Sequence, residues 1–185
     1  RATADSSWPH TAAFKGDALL WLEYARALRA GAPFELGLPI HPPGTGYLVA
    51  ALWNGGGFGL LKTVWCVLGA AAAGLAAASM ARAFGATVGA VAGVIMAASS
   101  GLLILSVSLN GETPYLALVA LGFWLLPVPE APRAPRLLAW GAVQGLACLF
   151  RVEHALFAAL AVAFLAVRAR RGAGLRPAVA AAALA

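Results

Sequence analysis

The stretch FGLLKTVWCVLGAAAAGLAAASM, residues 58–80, decides the class of this chain. Its one charged residue is Lys62, near its start. At about 1.5 Å per helical residue, the stretch is long enough to cross a hydrocarbon core of about 30 Å. A second apolar run covers residues 86–109, within a segment that carries no charge from residue 83 to residue 111. Both runs therefore predict membrane-spanning helices.

The composition of the whole chain agrees with this interpretation. Of its 185 residues, 62% are hydrophobic and 11% are charged, whereas a soluble domain carries about 25% charged residues. So few polar side chains cannot cover a water-soluble globule, and the same apolarity excludes intrinsic disorder. The net charge of +6 does not indicate nucleic-acid binding, because the cations stand singly or in short clusters between apolar runs.

Further apolar runs follow, over residues 113–126, 137–150, 155–167 and from 177 onward. If successive runs alternate in direction, six basic residues fall on one side, which the positive-inside rule makes cytoplasmic. They are Arg82, Arg133, Arg136, Arg168, Arg170 and Arg171. One long helix over residues 137–167 would place basic clusters on both sides, so a hairpin around residues 151–154 is preferred. We predict an all-α fold, a polytopic transmembrane helical bundle over residues 58–185 that is truncated at its C-terminus.

Residues 1–57 are more polar and are predicted to form an outer, extracytoplasmic loop with interfacial helices. Residues 17–30 predict an amphipathic helix at the membrane surface, with Asp17 as N-cap and Gly31 after its end. A rigid turn around Pro42 and a short apolar helix over residues 47–53 follow. In the bundle, the spacing of Gly85, Gly89 and Gly93 predicts close packing of helix backbones.

The predicted topology gathers the scarce polar groups at the outer end of the bundle. An ionisable residue in or beside a membrane is costly and is therefore a functional candidate. The candidates are Asp17, His41, Lys62, Asn110, Glu112, Arg151, Glu153 and His154.

Each candidate also has a purely structural interpretation. Asp17 either caps its helix, acts as a general base toward a hydroxyl, or helps to hold a divalent cation against a phosphate. Lys62 either extends to the interface or contacts a lipid phosphate. Arg151 either pairs with Glu153 to close the hairpin or donates to a phosphate.

Two histidines and one glutamate are the other candidates with two interpretations each. His41 is either an exposed turn residue or a ligand contact, His154 either a pairing partner or a site residue, and Glu112 either a cap of the helix that follows or a site residue. No H-E-x-x-H or C-x-x-C spacing occurs in the sequence. Metal and cofactor are thus left open, a divalent cation included.

The order of these features resembles the GT-C-fold membrane glycosyltransferases of the dolichyl-phosphate-mannose protein mannosyltransferase and aminoarabinose-transferase type (glycosyltransferase family 39). The segments that carry the resemblance run through most of the chain. They are Gly16-Asp17-Ala18, residues 24–31, His41-Pro42-Pro43-Gly44 with Tyr47, Lys62, residues 110–114, and residues 141–149 leading into Arg151-Val152-Glu153.

This resemblance implies transfer of a sugar from a polyprenyl-phosphate donor to a hydroxyl of a lipid, glycan or protein acceptor. The reaction would take place at the extracytoplasmic face of a bacterial inner (plasma) membrane, and the chain would be an N-terminal fragment. Asp17 matches the essential acidic residue of the family's first outer loop, His41 a donor or acceptor contact, and Lys62 a position where a cation is common. Family members often have Asp-Glu where this chain has Asp17-Ala18, so a mechanism that needs both carboxylates is not supported.

Two other functions stay open, a transporter fragment and a non-catalytic membrane scaffold. A transporter predicts broken helices with charges near the middle of the bilayer. Here the candidate charges cluster at one face of the predicted bundle, beside a long amphipathic outer loop. The sequence therefore favours the glycosyltransferase.

Overall fold

The computed structural model describes residues 17–31, 42–53, 57–126 and 134–170. Over these residues the protein is all-helical, without strands, which confirms the predicted class. The helices are α1 (Ala18–Arg29), α2 (Gly44–Leu52), α3 (Gly59–Phe84), α4 (Ala86–Ala98), α5 (Ser100–Val107), α6 (Glu112–Leu125), α7 (Ala134–Cys148) and α8 (His154–Arg170). His41 and the apolar run from residue 177 lie outside the described residues.

Helix α3 is the centre of the fold, and α2, α4, α5 and α6 all contact it. Small residues allow the close approach that the sequence predicts. A Cβ atom on Gly89 of α4 would lie 2.7 Å from the carbonyl oxygen of Ala77, and a Cβ atom on Gly69 of α3 would overlap Ser106 of α5. Gly89 and Gly93 therefore serve helix packing as predicted, whereas Gly85 has no atom near its Cβ position and, with a φ of 98°, connects α3 to α4.

The second predicted span is not one continuous helix. α4 ends at Ala98, α5 begins at Ser100, and the two are bent by 57°. The backbone of Ser99 is extended, and its side-chain oxygen accepts a hydrogen bond from the Leu102 amide. The prediction of one continuous helix over residues 86–109 is wrong, because a serine in its middle ends one helix and caps the next.

The long helices alternate in direction, so the bundle has two different ends. Trp65, in the second turn of α3, donates to the Asn110 carbonyl at 3.1 Å, whereas Arg82, near the end of α3, donates to the Leu126 carbonyl at 2.8 Å. We call the end that contains the Trp65–Asn110 bond the Glu112 end (residues 110–115 and 149–154). We call the end that contains the Arg82–Leu126 bond the Arg82 end (residues 82–85, 123–126 and 136). Residues 149–153 connect α7 to α8 as a turn, which confirms the predicted hairpin.

Helices α1 and α2 pack together at the Glu112 end. Their buried side chains share a core with the beginning of α3: Ala18, Trp21, Leu22, Ala25, Val49, Trp53, Leu61, Trp65 and Leu109. The opposite face of α1, with Glu23, Arg26 and Arg29, is exposed, so the predicted amphipathic pattern is confirmed. α1 is thus fixed on the bundle by its apolar face.

The contact between α1 and α2 depends on one glycine. The Tyr24 ring of α1 occupies the space that a Cβ atom on Gly46 of α2 would need. Burial, with a smaller contribution from Tyr47, raises the pKa of Tyr24 to about 12. α2 begins at Gly44 after Pro43, three residues earlier than predicted, because proline is well suited to the start of a helix.

By length and composition, α3 is the one described helix that could cross a membrane by itself, and α4 with α5 would add a second if the bent pair forms one span. α6 and α8 are shorter apolar helices. A core helix of a soluble protein is mostly buried, but only 22% of the most apolar stretch of α3 is buried. These features support membrane association through α3, while the predicted polytopic bundle is not confirmed.

Candidate functional site

An ion pair joins two helix ends at the Glu112 end. Glu112 is the first residue of α6, and Arg151 lies in the turn between α7 and α8. Arg151 Nη2 donates to Glu112 Oε1 at 2.8 Å, and the two side chains are 43% and 42% exposed. The N-terminus of α6 favours the Glu112 carboxylate, but a pair this exposed adds little to stability. The sequence placed both residues at this end, whereas the alternative of Arg151 pairing with Glu153 is not observed in the described structure.

A hydrogen-bonded set of three buried or half-buried side chains lies beside this ion pair. Tyr115 Oη lies 3.1 Å from His154 Nδ1, and His154 Nε2 lies 2.7 Å from Gln144 Oε1. An amide oxygen only accepts, so His154 Nε2 carries a proton and donates to Gln144 Oε1, whereas the Tyr115 hydroxyl can either donate to Nδ1 or accept from it. These two partners hold the ring of His154, which is 4% exposed, in one orientation.

Tyr115 connects these three residues with the ion pair. The guanidinium of Arg151 lies 5.8 Å from the centre of the Tyr115 ring, within the range of a cation–π contact. The His154 ring meets the same Tyr115 ring edge-on at 5.5 Å. Residues of α6, α7, α8 and the intervening turn thus form one connected polar set.

Two cavities adjoin this polar set. The larger, of about 540 Å³, lies between α2, α3, α6 and α7, and we call it the long groove. Its apolar walls include Leu48, Leu68, Leu75, Leu121 and Leu149. The smaller, of about 230 Å³, lies between α6, α7 and α8. We call it the His154 cavity, because His154 lines it together with its two hydrogen-bond partners, Tyr115 and Gln144.

Asp17 stands apart from this set, as the exposed N-cap residue of α1. Its backbone carbonyl accepts from the Trp21 amide at 3.0 Å, but its carboxylate makes no capping hydrogen bond. The side-chain cap that the sequence suggested is therefore not observed. Lys62 lies half-buried in the first turn of α3, and Glu153 is exposed in the α7–α8 turn.

Asn110 has a structural role. Its Oδ1 accepts from the Thr113 amide at 2.8 Å, and its Nδ2 donates to the Leu105 carbonyl at 2.7 Å. These bonds tie the end of α5 to the first turn of α6, as a helix-capping side chain does. The bonds give Asn110 a structural role, and its place among the functional candidates stays a prediction.

Sequence reasoning missed Tyr115 and Gln144. Gln144 did carry a signal, because an amide inside an apolar run needs a partner that a neighbouring helix supplies. Over the residues that the structure describes, no group of three or more His, Cys, Asp and Glu side chains could hold a metal ion. No family model, curated protein or solved structure matches the chain, so its function has to be inferred from the chemistry of these residues.

Proposed function

We propose that this chain is part of an integral-membrane glycosyltransferase that moves a sugar from a polyprenyl-phosphate donor to an acceptor hydroxyl at the outer face of the membrane. Such a donor combines a long hydrocarbon chain with a charged phosphate. It needs an apolar groove that ends beside a cation. The observation that carries the proposal is the long groove, which is lined by Phe150, the residue before Arg151.

The long groove has the size and character that the hydrocarbon part requires. Its volume of about 540 Å³ lies within the range of small-molecule sites, about 300 to 1,000 Å³. It runs from Leu75 and Leu121, in the interior of α3 and α6, to Gly44 and Phe150. The Gly44 amide donates to the Leu149 carbonyl at 2.7 Å. That bond joins α2 to the end of α7 at the groove, two residues before Arg151 in the chain, and we propose that the Arg151 side chain reaches a phosphate there.

Arg151 is the residue best placed to meet the phosphate at that point. Its guanidinium offers a planar set of donors that matches a phosphate, and the structure gives one of its nitrogens, Nη2, a carboxylate partner. In the transfer step the lipid phosphate is the leaving group, and a cation stabilises the charge that develops on it. Lys62 is a second cation at the same end of the bundle.

Asp17 is the proposed general base. The acceptor hydroxyl has to lose its proton as it attacks the sugar, and a carboxylate within hydrogen-bond reach can accept that proton. The Asp17 carboxylate is exposed and makes no capping bond, so a substrate can reach it. The bundle is proposed to be polytopic, with the Glu112 end on the extracytoplasmic side.

The first experiment measures binding of farnesyl phosphate, a short polyprenyl phosphate, to the purified full-length protein. Leu121→Trp fills the long groove with a larger ring, and we expect at least tenfold weaker binding. Leu160→Trp adds the same ring to the exposed face of α8, where Leu160 is 60% exposed, and should bind like the wild type. The proposal would be contradicted if Leu121→Trp bound farnesyl phosphate as tightly as the wild type, or if the wild type bound farnesol and farnesyl phosphate equally well.

One observation favours a transporter as a second candidate. The α4–α5 pair is broken and bent by 57°, and broken helices line many transport sites. The residues at the break, Ala98, Ser99 and Ser100, carry no charge. A transferase works in detergent, whereas transport needs two compartments. Sugar transfer by detergent-solubilised protein would therefore exclude a function limited to transport.

A further inference from the structure

Gln144 presents to the His154 cavity a hydrogen-bond donor that nothing in the described structure accepts. The residue is 8% exposed. Its Oε1 accepts from His154, whereas its Nε2, with two N–H groups, donates to no described residue. In an apolar cavity that faces lipid, an N–H group without an acceptor loses the hydrogen bonds that water would give it, and this costs free energy. A ligand that carries an acceptor would supply such a bond.

The Gln144 amide forms part of the wall of the His154 cavity. Its Nε2 lies against Gly122, where a Cβ atom would be 2.6 Å away, and Gly122 lines the same cavity. Because Gly122 has no side chain, only its backbone lies against the amide nitrogen on that side, and Gln144 itself lines the cavity. A molecule in the cavity can therefore reach the unsatisfied N–H groups.

The His154 cavity has the form of a trough along α6. It extends from Tyr115 to Leu126, which at about 1.5 Å per residue is roughly 16 Å. The hydrogen-bonded side chains of Tyr115, Gln144 and His154 gather near its Glu112 end. The indole of Trp140 also lines it, and the remainder, including Leu116 and Phe123, is apolar. An apolar trough with uncharged polar groups near one end fits a hydrocarbon chain that bears an uncharged acceptor near one end.

The cavity opens onto an apolar surface. Phe123 and Phe157, both of which line it, are each 61% exposed, and Leu160 and Phe164 continue the exposed apolar face along α8. In a membrane this face meets lipid. The hydrocarbon part of a polyprenyl phosphate has no hydrogen-bond acceptor, whereas a fatty-acyl chain has one at its ester carbonyl.

From these features we infer that the His154 cavity is a lipid site that binds one acyl chain of a membrane glycerolipid. The ester carbonyl of that chain accepts a hydrogen bond from Gln144 Nε2. The site is separate from the long groove, and it does not depend on the proposed transferase function.

The test compares two lipids that differ only in the acceptor. Purified full-length protein is stripped of lipid in detergent, and binding of dioleoyl phosphatidylcholine is measured by native mass spectrometry against the diether analogue with the same chains. One neutral hydrogen bond predicts about fivefold tighter binding of the diester. Equal binding of the two lipids by the wild type would overturn the inference, and this comparison needs no variant.

Three variants locate the effect. Gln144→Met removes the donor at similar size and should bind both lipids as weakly as the wild type binds the diether. Ala161→Phe fills the cavity and should weaken binding of both. Ser79→Ala removes a polar side chain of α3 that bonds the Leu75 carbonyl, and it should keep the preference. The site would be contradicted if Gln144→Met still preferred the diester, or if Ala161→Phe bound the lipids as tightly as the wild type does.

Discussion

The two ends of α6 use arginine in different ways. At the Arg82 end, Arg82 and Arg136 donate to the last carbonyl groups of the helix: Arg82 bonds the Leu126 carbonyl at 2.8 Å, and Arg136 bonds the Leu125 carbonyl at 2.9 Å. At the Glu112 end, Arg151 bonds a carboxylate and lies over a tyrosine ring. The first pair meets backbone groups that have no partner within their own helix. Arg151 is held by side chains that a ligand can replace.

This difference shows that a cation beside an apolar helix does not by itself mark a site. The carbonyl groups at a helix C-terminus attract cations because of the helix dipole, and such bonds are lost only if the helix frays. An exposed ion pair is worth little, so an incoming phosphate can exchange with the carboxylate. The nature of the partner distinguishes a structural arginine from a candidate ligand-binding one.

The largest expected effect concerns Asp17, the proposed base at the Glu112 end. Asp17→Asn keeps the size of the side chain but cannot accept the proton, so sugar transfer should fall by a factor of about 10² to 10⁴. The measurement is the initial rate with the full-length protein and a labelled polyprenyl-phosphate sugar. Glu23→Gln, which neutralises an exposed carboxylate of α1, is the matched control. A transfer rate in Asp17→Asn equal to that of the control would remove Asp17 from the mechanism.

The next effect belongs to the opposite end and concerns stability. Arg82→Ala leaves carbonyl groups of α6 without the charged donor that now bonds them, and we expect a loss of about 2 kcal/mol in the free energy of unfolding. Thermal unfolding in detergent measures this as a lower Tm. Farnesyl phosphate binding by the folded fraction should be unchanged. If the variant were as stable as the wild type, or if it lost farnesyl phosphate binding selectively, Arg82 would not be a purely structural arginine.

Arg151→Gln should show the reverse pattern. Loss of the Arg151 cation should weaken farnesyl phosphate binding about tenfold, which is about 1.4 kcal/mol. The Tm should change little, because the lost ion pair is 43% and 42% exposed. Isothermal calorimetry and a thermal melt on the same sample give both values. A large fall in Tm with unchanged binding would make Arg151 a structural residue like Arg82.

The sequence predicted the two ends but not their contents. Caps and glycines predicted α1 closely, because Gly31 adopts the left-handed φ of 70° that ends a helix. Alternation of the apolar runs placed Glu112 and Arg151 at one end. The bonds from His154 to Tyr115 and Gln144 were not predictable, because they depend on the rotation of α6, α7 and α8 about their axes. Ser99 was equally ambiguous, since a serine in an apolar run fits either a continuous helix or a break.

The smallest expected effect decides what Glu112 does to Arg151. If the carboxylate competes with a phosphate for the guanidinium, Glu112→Gln frees Nη2, and farnesyl phosphate should bind about threefold tighter. The gain is limited to roughly fivefold, because an exposed ion pair is worth at most about 1 kcal/mol. If Glu112 instead holds Arg151 in its binding position, the same change weakens binding, because the flexible side chain has to be ordered at the moment of binding.

The exposure of the ion pair favours competition: nothing buried depends on the bond, and Tyr115 still lies under the guanidinium after the change. Glu23→Gln again controls for the loss of one negative charge, since it alters the net charge equally without touching Arg151. Tighter binding that is specific to Glu112→Gln would show that the ion pair occupies the phosphate position in the free protein, which no carbonyl-bonded arginine at the Arg82 end can do.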